Sequence, residues 1–262
     1  IHVTPTPTAT PEEHMAIIEG GEFYMGASDK DGDSLLEEKP LHKVYLNAYK
    51  IDIYETTNSQ YCEFLNAKMA ETDSSEYKWI DIDNEYCRIT RSEGKYTVKP
   101  GGYENHPVTC VSWYGAEAYG KWCHKRLPSE AEWERAAKGR KKNIYPWGDT
   151  WDPFKCANNT GGEGAVMPVG SFPAGASEDK IMDMAGNLYE WCSDWYSPDY
   201  YSLQHGKNPG GPADGIYKSV RGGSWNNSKS SYFRTTCRYS FLPGTTSPFV
   251  GFRLVKELGA GR

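Results

Sequence analysis

The stretch that decides the fold of this 262-residue chain runs from residue 221 to residue 255 and reads RGGSWNNSKSSYFRTTCRYSFLPGTTSPFVGFRLV. Both of its ends have the character of a structural framework. Gly222 and Gly223 permit a bend or a β-bulge where a Cβ would not fit, and residues 250–255 alternate like a half-buried strand. Between the ends lie mostly Asn, Ser, Thr, Tyr and Phe. This is the composition of a binding surface, because aromatic rings give rigid contact area and small polar groups give adaptable hydrogen bonds.

The overall composition indicates a water-soluble, loop-rich protein of one large domain or two small ones. Hydrophobic residues make up 38% of the chain, and no run approaches the roughly 20 apolar residues of a membrane-spanning helix. Nine Trp, 19 Tyr, 27 Gly and 16 Pro favour loops held by aromatic anchors. A formal net charge of −6 argues against a nucleic-acid-binding protein, and ordinary solubility explains it well enough.

The seven cysteines exclude the CxxC patterns of zinc and redox sites, because no two of them lie within four residues of each other. An odd number leaves at least one thiol unpaired. The spacing leaves open whether the protein is in a reducing compartment or is exported with partial pairing. The positions are Cys62, Cys87, Cys110, Cys123, Cys156, Cys192 and Cys237.

The first residues predict a spacer rather than part of the domain. Residues 3–13 read VTPTPTATPEE, and alternating Pro holds an extended, semi-rigid segment. Such a spacer commonly separates a domain from an anchor or a neighbouring domain, although a disordered tail without a role explains it nearly as well. Because the chain starts at Ile1 rather than Met, we expect the natural N-terminus to lie upstream. We predict a linker at 1–14, one domain at 15–257 and a short tail at 258–262.

Helix signals are confined to the first half of the chain. Capping boxes predict helix starts at Thr57 and at Ser129, and Ser112 fits the N-cap of a helix between them. Together with short strands at both ends, these helices make an α+β domain with long loops.

Strand signals are shorter and weaker. We expect two short strands within residues 15–26, on either side of a Gly-Gly turn, and one strand over residues 43–54, where polarity alternates with a period of two. Residues 79–82 and 96–98 could form further short strands.

A series of sequence blocks, in order from about residue 15 to 257, resembles the formylglycine-generating-enzyme (sulfatase-modifying factor) family. The resemblance implies a C-type-lectin-like fold with little regular structure. The blocks are GGEFYMG at 20–26, PLHKV at 40–44, ETTN at 55–58, HPV at 106–108, VSW at 111–113, KRLPSEAEWE at 125–134, MAGNLYEW at 184–191, RGGSW at 221–225 and GFR at 251–253.

The resemblance does not extend to the chemistry of the family's oxidases. In those enzymes a pair of Cys shortly after the RGGSW block acts with copper and O2, and a soft thiolate pair is what Cu(I) requires. Residues 226–236 contain no Cys, and Cys237 is a single thiol. We therefore expect neither copper nor oxidase activity. The related iron-dependent sulfoxide synthases hold their metal with histidines in an extra helical domain, whereas the six His here form no cluster.

The chain is more similar to another branch of this fold, the variable proteins of diversity-generating retroelements. In that branch, residues between RGGSW and GFR are rewritten at adenines of Asn-type codons. Residues 226–249, here called the display stretch, consist almost wholly of residues reachable from such codons; Lys229 is not and would be a fixed position. Some of these proteins are surface lipoproteins, which would suit the Thr/Pro spacer.

We predict that the display stretch binds an unknown macromolecular ligand, most simply a protein, and that it does so without catalysis. The alternatives are a structural loop that has lost its catalytic pair, and an enzyme or enzyme accessory with altered chemistry. The expected framework residues are Arg221, Trp225, Arg234 and Arg253. The expected ligand contacts are Asn226, Asn227, Ser230, Ser231, Tyr232, Tyr239, Phe241, Thr245, Ser247 and Phe249.

The resemblance also implies two calcium sites, because members of the family bind calcium in two loops. One site would use Asn187 and Glu190, and the other Asn158 and Glu163 with backbone carbonyls of Asn159 and Ala165. Hard cations need several converging oxygens, which Asn and Glu in a Gly-containing loop can supply. The alternative is that these side chains bond protein groups. His42 and His106 are expected to be structural.

Overall fold

The computed structural model describes residues 14–160, 164–203 and 206–258. It confirms the α+β class and its loop-rich character. The helices of the described residues are α1 (Asn58–Lys68), α2 (Trp113–Trp122) and α3 (Glu130–Lys138). The strands are β1 (Met15–Ile18), β2 (Gly21–Met25), β3 (His42–Leu46), β4 (Tyr49–Asp52), β5 (Ile89–Ser92), β6 (Lys95–Val98), β7 (Tyr189–Trp195), β8 (Lys218–Arg221), β9 (Tyr239–Phe241), β10 (Val250–Gly251) and β11 (Val255–Glu257).

Each helix begins where its capping residue predicts. The hydroxyl of Thr57 accepts a hydrogen bond from the backbone N–H of Gln60, and the Gln60 side chain accepts one from the N–H of Thr57. Ser129 at the start of α3 forms the same reciprocal pair, and the hydroxyl of Ser112 accepts from the N–H of Gly115. These bonds satisfy amide donors that the first turn of a helix otherwise leaves unpaired.

Two sheets bring distant parts of the chain together. In the first, β4 lies between β1 and β11 and is antiparallel to both, so the two ends of the domain meet. In the second, the order is β10-β7-β8-β9, with β10 parallel to β7 and the other pairs antiparallel. The second sheet contains the strands on either side of the display stretch, β8 before it and β10 after it, and β9 within it. Two-stranded pairs, β2-β3 and β5-β6, complete the sheets.

The strand predictions need several corrections. Residues 15–26 do form two strands, but β1 pairs with β4 and β2 with β3, so they are not partners of each other. Residues 43–54 form two strands instead of one, because the chain turns at residues 47–48 against Gly20, where an added Cβ would lie 2.8 Å from the amide nitrogen of Ala48. Residues 79–82 form only a single bridge, between Ile80 and Val111.

Residues 250–255 are also interrupted, although they alternate as a strand should. They divide into β10 and the start of β11, with an irregular segment between. Gly251 explains the tight packing here: a Cβ would lie 2.6 Å from Leu188 Cδ1 and 2.9 Å from the carbonyl oxygen of Val108. This close approach lies where the chain passes from the second sheet (β10) to the first (β11). The expected strand at 96–98 lies within β6.

Two large apolar clusters form the core. One packs Tyr61 and Phe64 of α1 against Tyr119 of α2 and Phe252. The other packs Trp133 of α3 against the strands that include β2, β3 and β4. All seven cysteines are buried, and none of them is in a disulfide.

Within the described part of the chain, no helix is both long and apolar enough to cross a membrane. The linker prediction falls mainly on residues 1–13, outside the described residues, as does most of the expected tail.

Candidate binding surface

A buried ion-pair network fixes the start of the display stretch to α3. Arg221 at the end of β8 donates to Glu130 (2.8 Å) and to Glu134 (2.9 Å), and Arg238 donates to Glu130 (2.7 Å). Burial opposes ionisation of both carboxyl groups. Nevertheless, the guanidinium groups of Arg238 and Arg221 hold the pKa of Glu130 at about 2, while Lys138 and Arg221 hold that of Glu134 at about 2. The network is therefore fully charged at neutral pH.

A second ion-pair cluster fixes the middle of the stretch. Arg234 is 2% exposed and donates to Asp31 (2.8 Å) and to both oxygens of Glu38. Next to it, Phe233 is buried and stacks on Trp151 with ring centroids 4.9 Å apart. Because Phe233 and Arg234 are buried, the turn Ser230–Phe233 places Ser230, Ser231 and Tyr232 at the boundary with solvent.

The ten predicted contact residues all reach the surface to some extent. Asn226 and Tyr239 are exposed, and the other eight are half-buried. Tyr239 is 45% exposed and stacks on Tyr189 at 5.5 Å, while Phe241 contacts the edges of Tyr189 (6.1 Å) and Trp191 (6.0 Å). Strand alternation puts residues 239 and 241 on one face of β9. The sheet therefore presents a small aromatic face at its edge.

Two of the predicted contacts have structural duties that the sequence did not reveal. Asn227 lies beside the exposed Asn226, yet its Oδ1 accepts from the N–H (2.8 Å) and the hydroxyl (3.2 Å) of Ser224. The hydroxyl of Ser247 accepts from the N–H of Phe249 (3.2 Å). Both side chains close turns. The amide oxygen of Asn227 is thus already used within the turn, and its role as a ligand contact stays a prediction.

Trp225 differs from the buried framework anchor that we expected. It is half-buried, its ring lies 5.3 Å from Phe249 and 6.0 Å from Tyr86, and its Nε1 donates to the carbonyl of Pro248 (3.2 Å). The other three framework residues, Arg221, Arg234 and Arg253, are buried as expected. Trp225 is part of the surface, where it links the display stretch to a neighbouring cavity.

This cavity, here called the Trp225 pocket, has a volume of about 230 Å³. Residues 68–105 have no clear periodicity, so the sequence offers no signal from which this pocket could be predicted. Arg88 lies over the ring of Tyr103, with its Cζ 4.5 Å from the ring centroid, and His106 packs against the same ring at 5.2 Å. The described residues that line the pocket are Tyr86, Arg88, Tyr103, His106, Pro107, Thr109, Gly164, Ala165, Val166 and Trp225.

The residues of the first expected calcium site are bonded to other protein groups. Both carboxylate oxygens of Glu190 accept from Arg253 (2.7 Å each), and one also accepts from Nε1 of Trp133 (2.9 Å). The Oδ1 of Asn187 accepts from the N–H of Met167 (3.0 Å). A guanidinium that neutralises the carboxylate competes with a cation. This donor set does not fit calcium in the arrangement observed.

The second expected calcium site is only partly within the described residues, because Glu163 lies outside them. Asn158 is buried, its Nδ2 donates to the carbonyls of Pro153 and Cys156, and its Oδ1 accepts from the N–H of Thr160 (2.8 Å). The described residues contain no group of three or more His, Cys, Asp or Glu placed to hold a metal ion. Calcium binding stays a prediction.

The one thiol of the stretch is poorly placed for chemistry. Cys237 is 8% exposed, and burial raises its pKa to about 12. The thiol is therefore protonated at neutral pH, and protonated thiols are weak metal ligands and nucleophiles.

Comparison with known proteins decides the family. The family model described as "Sulfatase-modifying factor enzyme 1-like domain" matches residues 2–258. The chain belongs to this family. Over 297 residues it is 33% identical to the formylglycine-generating enzyme of Streptomyces coelicolor, an alignment that covers 97% of this chain and 93% of that enzyme. The resemblance inferred from the sequence blocks is thereby confirmed.

A longer protein is also a relative. The chain is 40% identical over 259 residues to serine/threonine-protein kinase Pkn1 of Chlamydia trachomatis, which covers 98% of this chain. The chain spans only about 40% of the length of that relative.

Solved structures share the fold of this family member along nearly the whole chain. PvdO from Pseudomonas aeruginosa superimposes with a TM-score of 0.74 at 25% identity, covering 93% of this chain and 94% of that one. Variable protein 1 of Treponema denticola superimposes with a TM-score of 0.70 at 21% identity, covering 93% and 95%. The C-type-lectin-like fold is thus confirmed, and with it the expectation that variable proteins share it.

Proposed function

We propose that this chain is a non-enzymatic ligand-binding domain whose display stretch forms the contact surface for a macromolecular partner, most simply a protein. The observation that carries the proposal is the division of this stretch. Arg221 and Arg234 hold it from inside through buried ion pairs. Eight of the ten expected contact residues reach the surface without closing a turn, as Asn227 and Ser247 do.

The chemistry of the surface suits protein recognition. Trp225, Tyr239, Phe241 and Phe249 are partly exposed aromatic rings, each supported by another ring beneath or beside it. Rings that are held in place lose little conformational entropy on binding, and a few aromatic residues usually contribute most of the energy of an interface. Ser230 and Ser231 add hydrogen-bonding groups between them.

The alternative, a formylglycine-generating type of enzyme or an accessory with altered chemistry, draws support from the Streptomyces relative. Against it stand the absence of Cys from residues 226–236 and the buried, protonated thiol of Cys237. The test is incubation of the purified protein with Cu(I), O2 and a sulfatase-type peptide containing Cys-Thr-Pro-Ser-Arg. We expect no loss of mass at the peptide Cys, and conversion to the aldehyde would overturn the proposal of a non-enzymatic domain.

We further propose that a retroelement diversifies the display stretch. The support is compositional, since residues 226–249 are nearly all reachable from Asn-type codons, and a variable protein shares the fold. The test is the gene's surroundings. A near-copy of the codons for 221–255 that differs at adenines, next to a reverse transcriptase gene, is expected. Without such a copy the proposal of diversification is wrong, while that of binding stands.

We propose that the domain is displayed at the cell surface or elsewhere outside the cytoplasm, attached through the Thr/Pro spacer to a lipid anchor or to a longer protein. The Thr/Pro spacer at residues 3–13 supports attachment to an anchor, and the greater length of the Chlamydia relative supports attachment to a longer protein. Labelling of intact cells with a membrane-impermeant reagent tests it. Protection of the domain until the cells are lysed would contradict display.

Binding itself is tested with a variant that removes three aromatic rings. In the capture experiment, the purified domain is cross-linked to its binding partners and the partners are recovered with it. The variant Tyr232→Ser/Tyr239→Ser/Phe241→Ser should lose the partners that the wild-type domain recovers. The matched control is Tyr45→Ser, which removes a 41% exposed tyrosine from β3. If the triple variant is folded by circular dichroism and still recovers the same partners as the control, the display stretch is not the binding surface.

A further inference from the structure

The Trp225 pocket adjoins the display stretch, because Trp225 belongs to its wall and immediately precedes Asn226. Its other walls come from distant parts of the chain, including Tyr86, Arg88 and Tyr103. A volume of about 230 Å³ lies below the roughly 300–1,000 Å³ of pockets that enclose drug-sized ligands. It suits one amino-acid residue of a larger partner.

The charge of the described lining is positive, and the carboxylate of Glu104 acts on His106 from outside that lining. Among the ten described lining residues there is a guanidinium, that of Arg88, and there is no Asp or Glu. Arg88 takes part in none of the ion pairs found in the described ranges 14–160, 164–203 and 206–258; its charged group rests on the ring of Tyr103 instead. A half-buried guanidinium that has no carboxylate partner among the described residues attracts an anion.

Apart from the side chains of His106 and Thr109, the rest of the wall is mainly apolar. The rings of Tyr86, Tyr103 and Trp225, together with the side chains of Ala165 and Val166, make up most of the lining. An anion that fills this space must therefore carry an apolar group beside its charge. Without such a group, the apolar side chains of the wall would stay in contact with water and their burial would contribute nothing to binding.

From this arrangement we propose that the Trp225 pocket binds the C-terminal residue of a protein partner, with the terminal carboxylate on the Arg88 guanidinium and an apolar side chain packed against Tyr86 and Trp225. The proposal rests on the proposed binding function and specifies which part of the partner one end of the surface recognises. One guanidinium matches the single charge of a carboxylate and presents two parallel N–H donors to it.

The lining disfavours two other classes of ligand. A cationic side chain would be repelled by Arg88, which already occupies a face of Tyr103. A phosphoryl group carries close to two negative charges at neutral pH. The pocket offers it one permanent cation, because burial and the charge of Arg88 lower the pKa of His106 and leave that ring neutral.

The experiment uses small probes and the whole domain. N-acetylphenylalanine supplies a terminal carboxylate and an apolar ring, and its amide has the same ring without the charge. We expect chemical-shift changes in two-dimensional NMR spectra to map to the pocket residues, with the amide binding weaker by about tenfold or more, the effect of losing one charged hydrogen-bonding partner. The α-amide of N-acetylglutamate, whose only carboxylate is on its side chain, should also bind more weakly than N-acetylphenylalanine.

Arg88→Gln should weaken binding of N-acetylphenylalanine by about tenfold or more. The matched control is Arg91→Gln, since Arg91 also lies over a tyrosine ring, at 5.2 Å from Tyr96, but outside the pocket. In the wild type, bound carboxylate should raise the pKa of His106 in a proton NMR titration, because it neutralises the neighbouring guanidinium. The His106 pKa reports on the charge at Arg88. If Arg88 only stabilised the fold, adding the probe would leave this pKa unchanged.

Equal binding of the acid and the amide, unchanged binding to Arg88→Gln, or an unmoved His106 pKa would overturn the proposal. Equal or tighter binding of the glutamate probe would also overturn it, in favour of an acidic side chain as the ligand. These results are separate from the capture experiment, which changes Tyr232, Tyr239 and Phe241 and leaves Arg88 intact. Failure here would leave the display stretch as a binding surface of different specificity.

Discussion

Replacing Arg221 with Met should destabilise the domain strongly, because Arg221 is the buried cation that ties the display stretch to α3. Its side chain is fully buried and donates to Glu130 (2.8 Å), to Glu134 (2.9 Å) and to the carbonyl of Thr235 (2.6 Å). Met fills a similar volume, but the buried carboxylates of Glu130 and Glu134 each lose one hydrogen-bonding partner. Breaking a buried ion pair from one side costs about 3–5 kcal/mol.

The surrounding contacts place the effect near the lower end of this range. Glu130 keeps Arg238 at 2.7 Å, and Glu134 keeps Lys138 at 2.7 Å, so neither carboxylate is left entirely unpaired. We therefore expect a loss of about 3 kcal/mol at pH 7. For a domain of this size that corresponds to a fall in Tm of roughly 6–12 °C.

The pH dependence gives an independent check. In the wild type the pKa values of Glu130 and Glu134 are about 2, below the ordinary 4.5 of a Glu carboxyl. Their stabilising effect is fully present above pH 4.5 and is lost as the pH falls toward 2. Without Arg221 both folded-state pKa values rise. The difference in unfolding free energy between wild type and variant should therefore shrink as the pH falls from about 5 to about 2.

The assay is urea unfolding followed by Trp fluorescence at pH 7 and at pH 3. Lys43→Met is the control, because the Lys43–Glu22 ion pair is exposed (58% and 62% for the two side chains) and such pairs contribute only about 0–1 kcal/mol. If Arg221→Met is within about 1 kcal/mol of wild type at pH 7, or if the difference grows on acidification, the buried network does not stabilise the stretch as argued.

Three further outcomes follow from the contacts. Because Arg253 already neutralises Glu190, any fall in Tm caused by EDTA should disappear in Glu163→Gln, and a fall that survives this change would show that calcium is bound at Glu190 in spite of that pair. Gly251→Ala should cost about 1–3 kcal/mol in urea unfolding, because the new Cβ would meet a backbone carbonyl at 2.9 Å; Gly210→Ala, with nothing within 4 Å, is the control, and equal losses would count against this. Ser129→Ala should cost about 1 kcal/mol through the lost helix cap, and an unchanged midpoint would contradict the capping role.

The variant Tyr232→Ser/Tyr239→Ser/Phe241→Ser should lose more stability than its sequence alone suggests. Judged from sequence, exposed substitutions should cost within about 0.5 kcal/mol each. The structure makes two of the three rings half-buried, and Phe241 packs against Tyr189 and Trp191. Aromatic contacts of this kind add about 0.5–1.5 kcal/mol each beyond the burial of area, so the variant must be checked for folding before a loss of binding is interpreted. For the same reason Trp225, which is only half-buried, should cost less on truncation than a core ring.

The helix starts could be predicted from sequence because the interactions that decide them are local. Helix starts at Thr57, Ser112 and Ser129 depend on hydrogen bonds within four residues, so the sequence contains everything that decides them. The pairing of strands, by contrast, depends on residues far apart in the sequence. The two strands within residues 15–26 resemble a hairpin in sequence, yet each pairs with a different later strand, because a partner is selected by the packing of the whole sheet.

The sequence by itself determined the family, the α+β class, the helix starts, the missing Cys pair and the composition of the display stretch, since each of these is written in residue types at fixed spacing. Only the tertiary structure decided which of those residues face outward. Asn226 and Asn227 are identical neighbours, and one is exposed while the other closes a turn with Ser224. The Trp225 pocket likewise exists only because folding brings Arg88 and Trp225 together. Exposure and cavities arise from contacts between segments far apart in the chain, and no local pattern of residues records them.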